Sequence, residues 1–163
     1  MLYAQRFIAV AHIKLVQAAI FIIAIMSVGV TGFATAQTAV LTPVGLWRNI
    51  DDKTGQAKAE IRITANATGV LSGVIEKALT VPADLLCSLC TDERKGKPKL
   101  GMEIIRGAVK SDGKEVWEGG RILDPDNGKL YALRLSPVEG GARLEVRGSI
   151  GPFGRTQTWL RVQ

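Results

Sequence analysis

Residues 142–150, ARLEVRGSI, are followed by Gly151-Pro152-Phe153-Gly154 and then by residues 155–162, RTQTWLRV. In the first segment Leu144, Val146 and Gly148 fall on one side of an extended chain, and Glu145 and Arg147 fall on the other. A period of two marks a strand with one buried face, because successive side chains of a strand point to opposite faces. The Gly-Pro segment between the two runs is turn chemistry. Residues 142–162 therefore read as a β-hairpin.

The same pattern extends backwards along the chain. Segments rich in apolar or β-branched residues occupy 46–50, 59–65, 70–78, 102–109, 116–123 and 129–136. Turn residues separate most of them: Asp51-Asp52-Lys53-Thr54-Gly55, Asn66-Ala67-Thr68-Gly69, Lys110-Ser111-Asp112-Gly113, Asp124-Pro125-Asp126-Asn127-Gly128, and Pro137 to Gly141. Only residues 79–100 form a long irregular connection, and this connection holds both cysteines. Eight strands joined mainly by short turns predict an antiparallel meander. An open, strongly twisted sheet of that size leaves two unpaired edges, and closure removes them. The expected fold is all-β: a closed, antiparallel, eight-stranded up-and-down barrel, with a two-sheet sandwich as the alternative. Such a barrel has room for filling side chains or for one small ligand.

The N-terminus reads differently. Residues 1–14 carry Arg6 and Lys14 and no acid, and residues 15–30 form the apolar run LVQAAIFIIAIMSVGV. Ala34-Thr35-Ala36 then supplies a small-x-small triplet. A basic start, a short apolar stretch and such a triplet make a cleavable secretory signal. Residues 1–36 are therefore expected to be a signal peptide helix cut after Ala36, 37–44 a short linker, and 45–163 the barrel domain. The run is shorter than the roughly 20 residues a spanning helix needs, so no membrane span is expected after cleavage. The expected location is the periplasm or the exterior.

Charge and composition narrow the chemistry. The chain carries +6 in all, and its lysines and arginines mostly recur singly beside acids. The densest basic cluster, Arg94, Lys95, Lys97 and Lys99, contains no aromatic residue. Nucleic-acid binding calls for basic groups interleaved with stacking rings, so no nucleic-acid partner is expected. The one histidine, His12, lies in the predicted leader. The remaining domain then lacks the commonest general base and metal ligand. Asp51, Asp52, Asp124 and Asp126 all sit in predicted turns, where aspartate bonds the local backbone. No catalytic residue, cofactor or metal site is assigned, and the expectation is a non-enzymatic protein.

Cys87-Ser88-Leu89-Cys90 has four readings: a disulfide stiffening the long loop, a redox pair, half of a metal site completed by Asp84, Asp92 or Glu93, or two free thiols. Export favours the disulfide. Trp47, Trp117, Tyr131 and Trp159 lie on four different predicted strands. In a barrel they would line one interior, either as a core or as the walls of a cavity. Arg134 and Arg155 are the candidate fixed charges for an anionic ligand.

Several strings together resemble a family of small exported bacterial proteins with a domain of unknown function. They are Pro43-Val44-Gly45-Leu46-Trp47, Cys87-x-x-Cys90, Gly120-Arg121-Ile122-Leu123-Asp124-Pro125, Asn127-Gly128-Lys129-x-Tyr131, and Gly154-Arg155-Thr156-Gln157-Thr158-Trp159. Gly45-x-Trp47 and Arg161 are also similar to the closing pair of calycin barrels, of which lipocalins are the best known. The resemblance implies that Trp47 plugs the barrel floor beneath Arg161. It implies no reaction. The functional expectation is a barrel binding a small apolar or amphipathic molecule or an envelope protein. The alternatives are an interaction module presenting residues 79–100, and a thiol-dependent redox or metal-handling protein using Cys87 and Cys90.

Overall fold

Ile61 and Ile63 are 1% and 0% exposed while Arg62 and Thr64 between and beside them face water. Leu133 and Leu135 flank exposed Arg134 in the same way, and Leu144 and Val146 flank exposed Glu145. Alternation of this kind curves each strand around one apolar interior. The computed structural model describes residues 41–162 except 53 and 83. The predicted signal peptide, its cut after Ala36 and residues 37–40 of the predicted linker lie outside the described residues.

Eight strands follow in order: β1 (Gly45–Ile50), β2 (Ala57–Ala65), β3 (Leu71–Ala78), β4 (Glu103–Lys110), β5 (Trp117–Asp124), β6 (Lys129–Val138), β7 (Arg143–Ile150) and β8 (Phe153–Arg161). Each pairs antiparallel with its neighbour in sequence, and β8 returns to β1 through Trp47↔Arg161 and Arg48↔Leu160. The molecule is the closed up-and-down barrel expected from the pattern. Among the described residues no helix is long and apolar enough to cross a membrane.

Two local differences from the sequence reading have physical reasons. Phe153 and Gly154 belong to β8, because Ile150 pairs with Phe153 and leaves only Gly151-Pro152 as the turn. A two-residue hairpin needs positive φ at its first or both central positions, and Gly151 supplies it at 55°. Pro137 lies inside β6, paired with Leu144. The β5 register has already ended at Trp117↔Leu135. At Pro137 the strand therefore has a neighbour on one side only, where a missing N–H is tolerated.

An up-and-down barrel has two kinds of end. Residues 41–44, Val162 and the β2–β3, β4–β5 and β6–β7 turns gather at one, called here the seam end. The β1–β2, β5–β6 and β7–β8 turns gather at the other with the β3–β4 connection, residues 79–102, called here the excursion. Ile104 and Ile105 are consecutive in β4, yet 6% and 0% exposed. Neighbouring residues of a strand point to opposite faces, so β4 is covered on both. The barrel interior covers Ile105; the excursion covers the outer face.

Candidate functional site

At the seam end, Trp47 is fully buried and its indole Nε1 donates to the Pro43 carbonyl at 2.6 Å. The Arg161 guanidinium lies 4.1 Å from the ring centre. Its Nε donates to Gly141 O at 2.6 Å, Nη1 to Val44 O at 3.0 Å and Nη2 to Thr42 O at 2.7 Å. One planar cation thus ties the chain entry, the β6–β7 turn and the indole face together, a task suited to the fixed fork of arginine. Burial lowers its pKa. Gly45 makes room: its φ is 142°, and a Cβ there would sit 2.6 Å from Arg161 Nη1.

Trp117 and Trp159 are also buried, at 7% and 1% exposure, and belong with Trp47 to the continuous core. Tyr131 is half-buried on the inward side of β6, in line with Leu133 and Leu135, and its hydroxyl accepts from Asn127 Nδ2 at 3.1 Å. Ile61, Ile63, Leu71, Ile105, Leu135 and Leu144 complete the buried core. The two best-formed depressions among the described residues open on the outside. One, of about 290 Å³, runs along the excursion and its junction with β4. The other, of about 210 Å³, lies on the outer wall of β6 to β8.

The arginine candidates do not line the interior. Arg134 points outward between buried Leu133 and Leu135. Arg155 is exposed at the excursion end and pairs with Asp52 at 3.2 Å. Alternation puts Arg134 outside, and the rim position next to the β1–β2 turn takes Arg155 into solvent.

The excursion is built from a short internal ladder. Cys87 N donates to Lys97 O and Lys99 N to Leu85 O, both at 2.9 Å, around the Leu86↔Pro98 bridge. Cys87 and Cys90 form a disulfide, 0% and 1% exposed, with Cys87 Sγ 3.6 Å from the Pro125 carbonyl oxygen. Arg94, almost wholly buried, is held by Asp92 and donates from Nη1 to Glu103 O at 2.9 Å. Those Arg94 hydrogen bonds hold the Asp92 carboxyl down at about 2. Among the described residues no three potential metal ligands converge.

A clamp that sequence reading missed joins the excursion to the rim. Asp126 accepts from Lys58 Nζ of β2 at 2.7 Å and from Lys99 Nζ of the excursion at 2.8 Å. Burial pushes the Asp126 carboxyl up, but the two lysines outweigh it and hold it below its ordinary value. The Asp126 hydrogen bond in turn raises Lys58. One signal was present. Asp124 already does the turn work, accepting from Asp126 N at 3.0 Å and Asn127 Nδ2 at 2.9 Å. The second aspartate of the turn was therefore free for another task. Gly128 closes the same junction with φ 70°, since a Cβ there would collide with the Leu89 carbonyl.

The excursion exposes five large apolar side chains. Val81, Leu85, Leu86, Leu89 and Leu100 are 94%, 67%, 42%, 62% and 59% exposed. Lys95 and Lys97 of the same segment are exposed and enter no ion pair among the described residues. The hairpin tip at the same barrel end adds Ile150 and Phe153, 52% and 79% exposed.

Comparison with known proteins adds three findings. A family model described as "Uncharacterized protein conserved in bacteria (DUF2147)" matches residues 45–161. No curated protein matches the chain. Among solved structures, protein HP1028 from Helicobacter pylori, described as belonging to the lipocalin family, superposes with a TM-score of 0.62. It shares 17% identity, over 74% of this chain and 82% of that one, a likeness of fold.

Proposed function

The chain belongs to the bacterial family DUF2147, and from that premise we propose that it is an exported, non-enzymatic binding barrel. Its binding surface is the excursion with its exposed apolar side chains, and its partner is an apolar or amphipathic envelope component. The observation that carries this reading is that five large apolar side chains between Val81 and Leu100 stand exposed, on backbone anchored by a disulfide and an ion-pair clamp. Water-exposed apolar groups held in place cost free energy unless something covers them. The disulfide supports an oxidising compartment outside the cytoplasm.

The test is binding of an environment-sensitive apolar dye to the folded protein, compared with the double variant Leu85→Ser, Leu89→Ser. Retained melting behaviour with loss of most dye binding supports the reading. Equal binding by both proteins refutes it.

A second reading is favoured by the lipocalin-like fold: a small apolar or amphipathic molecule held inside the barrel. The interior aromatics Trp47, Trp117, Tyr131 and Trp159 would then surround it. With the seam end closed by Trp47 and Arg161, such a ligand would enter from the excursion end. A co-purified small molecule in native mass spectra, displaced when the protein unfolds, supports this second reading over the first.

A further inference from the structure

The outer wall of β5 to β7 carries arginines that form no ion pair among the described residues. Among the ten arginines of the described residues, Arg48, Arg62, Arg94, Arg106, Arg143 and Arg155 each reach a carboxylate. Arg161 donates to three carbonyls. The three left over, Arg121, Arg134 and Arg147, stand on consecutive strands of one wall. Arg134 and Arg147 are directly opposed in the β6–β7 register. Like charges so placed repel and weaken the sheet. Glu118 opposes Arg134 on the other side, yet it accepts from Ser111 Oγ at 2.7 Å.

The surroundings of this pair have the makings of a site. Arg134 and Arg147 line the outer depression together with Ser136, Thr156 and Glu145. The Arg147 guanidinium lies across Gly154, where a Cβ would come within 2.8 Å of Nη2. A glycine at that point of β8 lets the planar group rest flat against the strand. Two guanidiniums and two hydroxyls are the donors that a tetrahedral oxyanion uses, and charge-assisted bonds from arginine to phosphate are among the strongest available to it. Glu145 is the one carboxylate of the set and makes no ion pair with either arginine. A carboxylate there repels an anion standing alone, but accepts a hydroxyl that accompanies one.

We infer that this depression binds a sugar carrying a phosphate or sulfate ester, with Arg134 and Arg147 on the oxyanion, Ser136 and Thr156 beside them, and Glu145 on a neighbouring sugar hydroxyl. The site is independent of the apolar excursion and lies on a different wall.

Amide spectra of the folded protein titrated with glucose 6-phosphate, glucose 6-sulfate, inorganic phosphate and glucose test it, at constant ionic strength held with chloride. Saturable shifts at residues 134, 147 and 156 are expected with both sugar esters, and none with glucose. The tighter ester identifies which oxyanion the site prefers. Arg134→Gln and Arg147→Gln should each weaken binding about tenfold, the effect of losing one charge-assisted hydrogen bond. Gly154→Ala, which keeps both charges, should weaken it by displacing Arg147. Glu145→Gln should abolish the preference for a sugar ester over inorganic phosphate. Shifts that chloride alone reproduces, or binding unchanged in both arginine variants, overturn the proposal.

Discussion

The two ends of the barrel are closed by opposite means. The seam end uses groups that do not titrate in the ordinary range: an indole, a guanidinium and four backbone carbonyls, from Pro43, Gly141, Val44 and Thr42. The excursion end uses a disulfide and a chain of ionised side chains, Lys58, Asp126 and Lys99 on the rim and Asp92 with Arg94 on the wall. The first closure joins residues distant in sequence into the barrel itself. The second fastens an added segment onto a barrel already complete. The seam end should therefore unfold only with the whole molecule, whereas the excursion should open by itself under mild conditions.

The largest effect is expected from Trp47→Ala. Removing a fully buried tryptophan costs about 3–5 kcal/mol, and here it also strips Arg161 of its ring contact. Urea denaturation should show a much lower midpoint with a single transition. If two transitions appear, with the excursion signal moving and the barrel signal fixed, the seam is not the centre of the cooperative unit. Arg161→Lys follows. An ammonium cannot reproduce three diverging N–H donors in one plane, so the part-buried carbonyls of Gly141 and Thr42 lose their partner, at no more than about 1–3 kcal/mol each.

Cutting the excursion staple should cost less. By loop-closure entropy a ring this short contributes roughly 2 kcal/mol. Cys87→Ser with Cys90→Ser should lower the stability of the excursion amides by that order while leaving β1 and β8 protection nearly unchanged. A global loss equal to that of Trp47→Ala would erase the distinction between the ends. Because both sulfurs are buried, reductant should act slowly on the native protein and quickly in mild denaturant.

How much of this was readable beforehand follows the same division. Period-two patterning at Ile61, Ile63, Leu144 and Val146 displays the strands directly, since each inward residue is apolar and each outward one polar. Turn chemistry at Asn66, Asp124 and Gly128 separates them. The Trp47 and Arg161 positions were legible only through family resemblance, since no local rule links residues so far apart. The excursion was unreadable. Ile104 beside Ile105 breaks the alternation, and only a covering segment explains it. Asp126 looked like one more turn aspartate, because its partners Lys58 and Lys99 come from elsewhere in the chain. Arg134, a candidate charge for an anionic ligand, stands between Leu133 and Leu135, and that alternation puts it outside.

The smallest expected effect is the most selective, and it comes from pH. Asp126 has its carboxyl lowered in the folded state, so its contribution is present above its unfolded value near 3.9 and fades as pH falls through the folded value. Lys58 is raised, so its share is complete below about 10.4 and is lost as pH rises through the folded value. The clamp therefore works between these limits and weakens on either side. Both groups are partly solvated, and water screens them to about 1 kcal/mol or less. Asp92, held near 2 by Arg94, stays ionised in mild acid, so the Arg94 anchor should persist there. Hydrogen exchange in mild acid should accordingly speed up first at residues 97–99 and 126–128, with the 92–94 segment following at lower pH. The seam amides should hold throughout, since Arg161 keeps its proton and its carbonyl partners have none to gain. Asp126→Asn should remove the first step and leave the second in place. Simultaneous loss at both ends on acidification would show that the two closures are one.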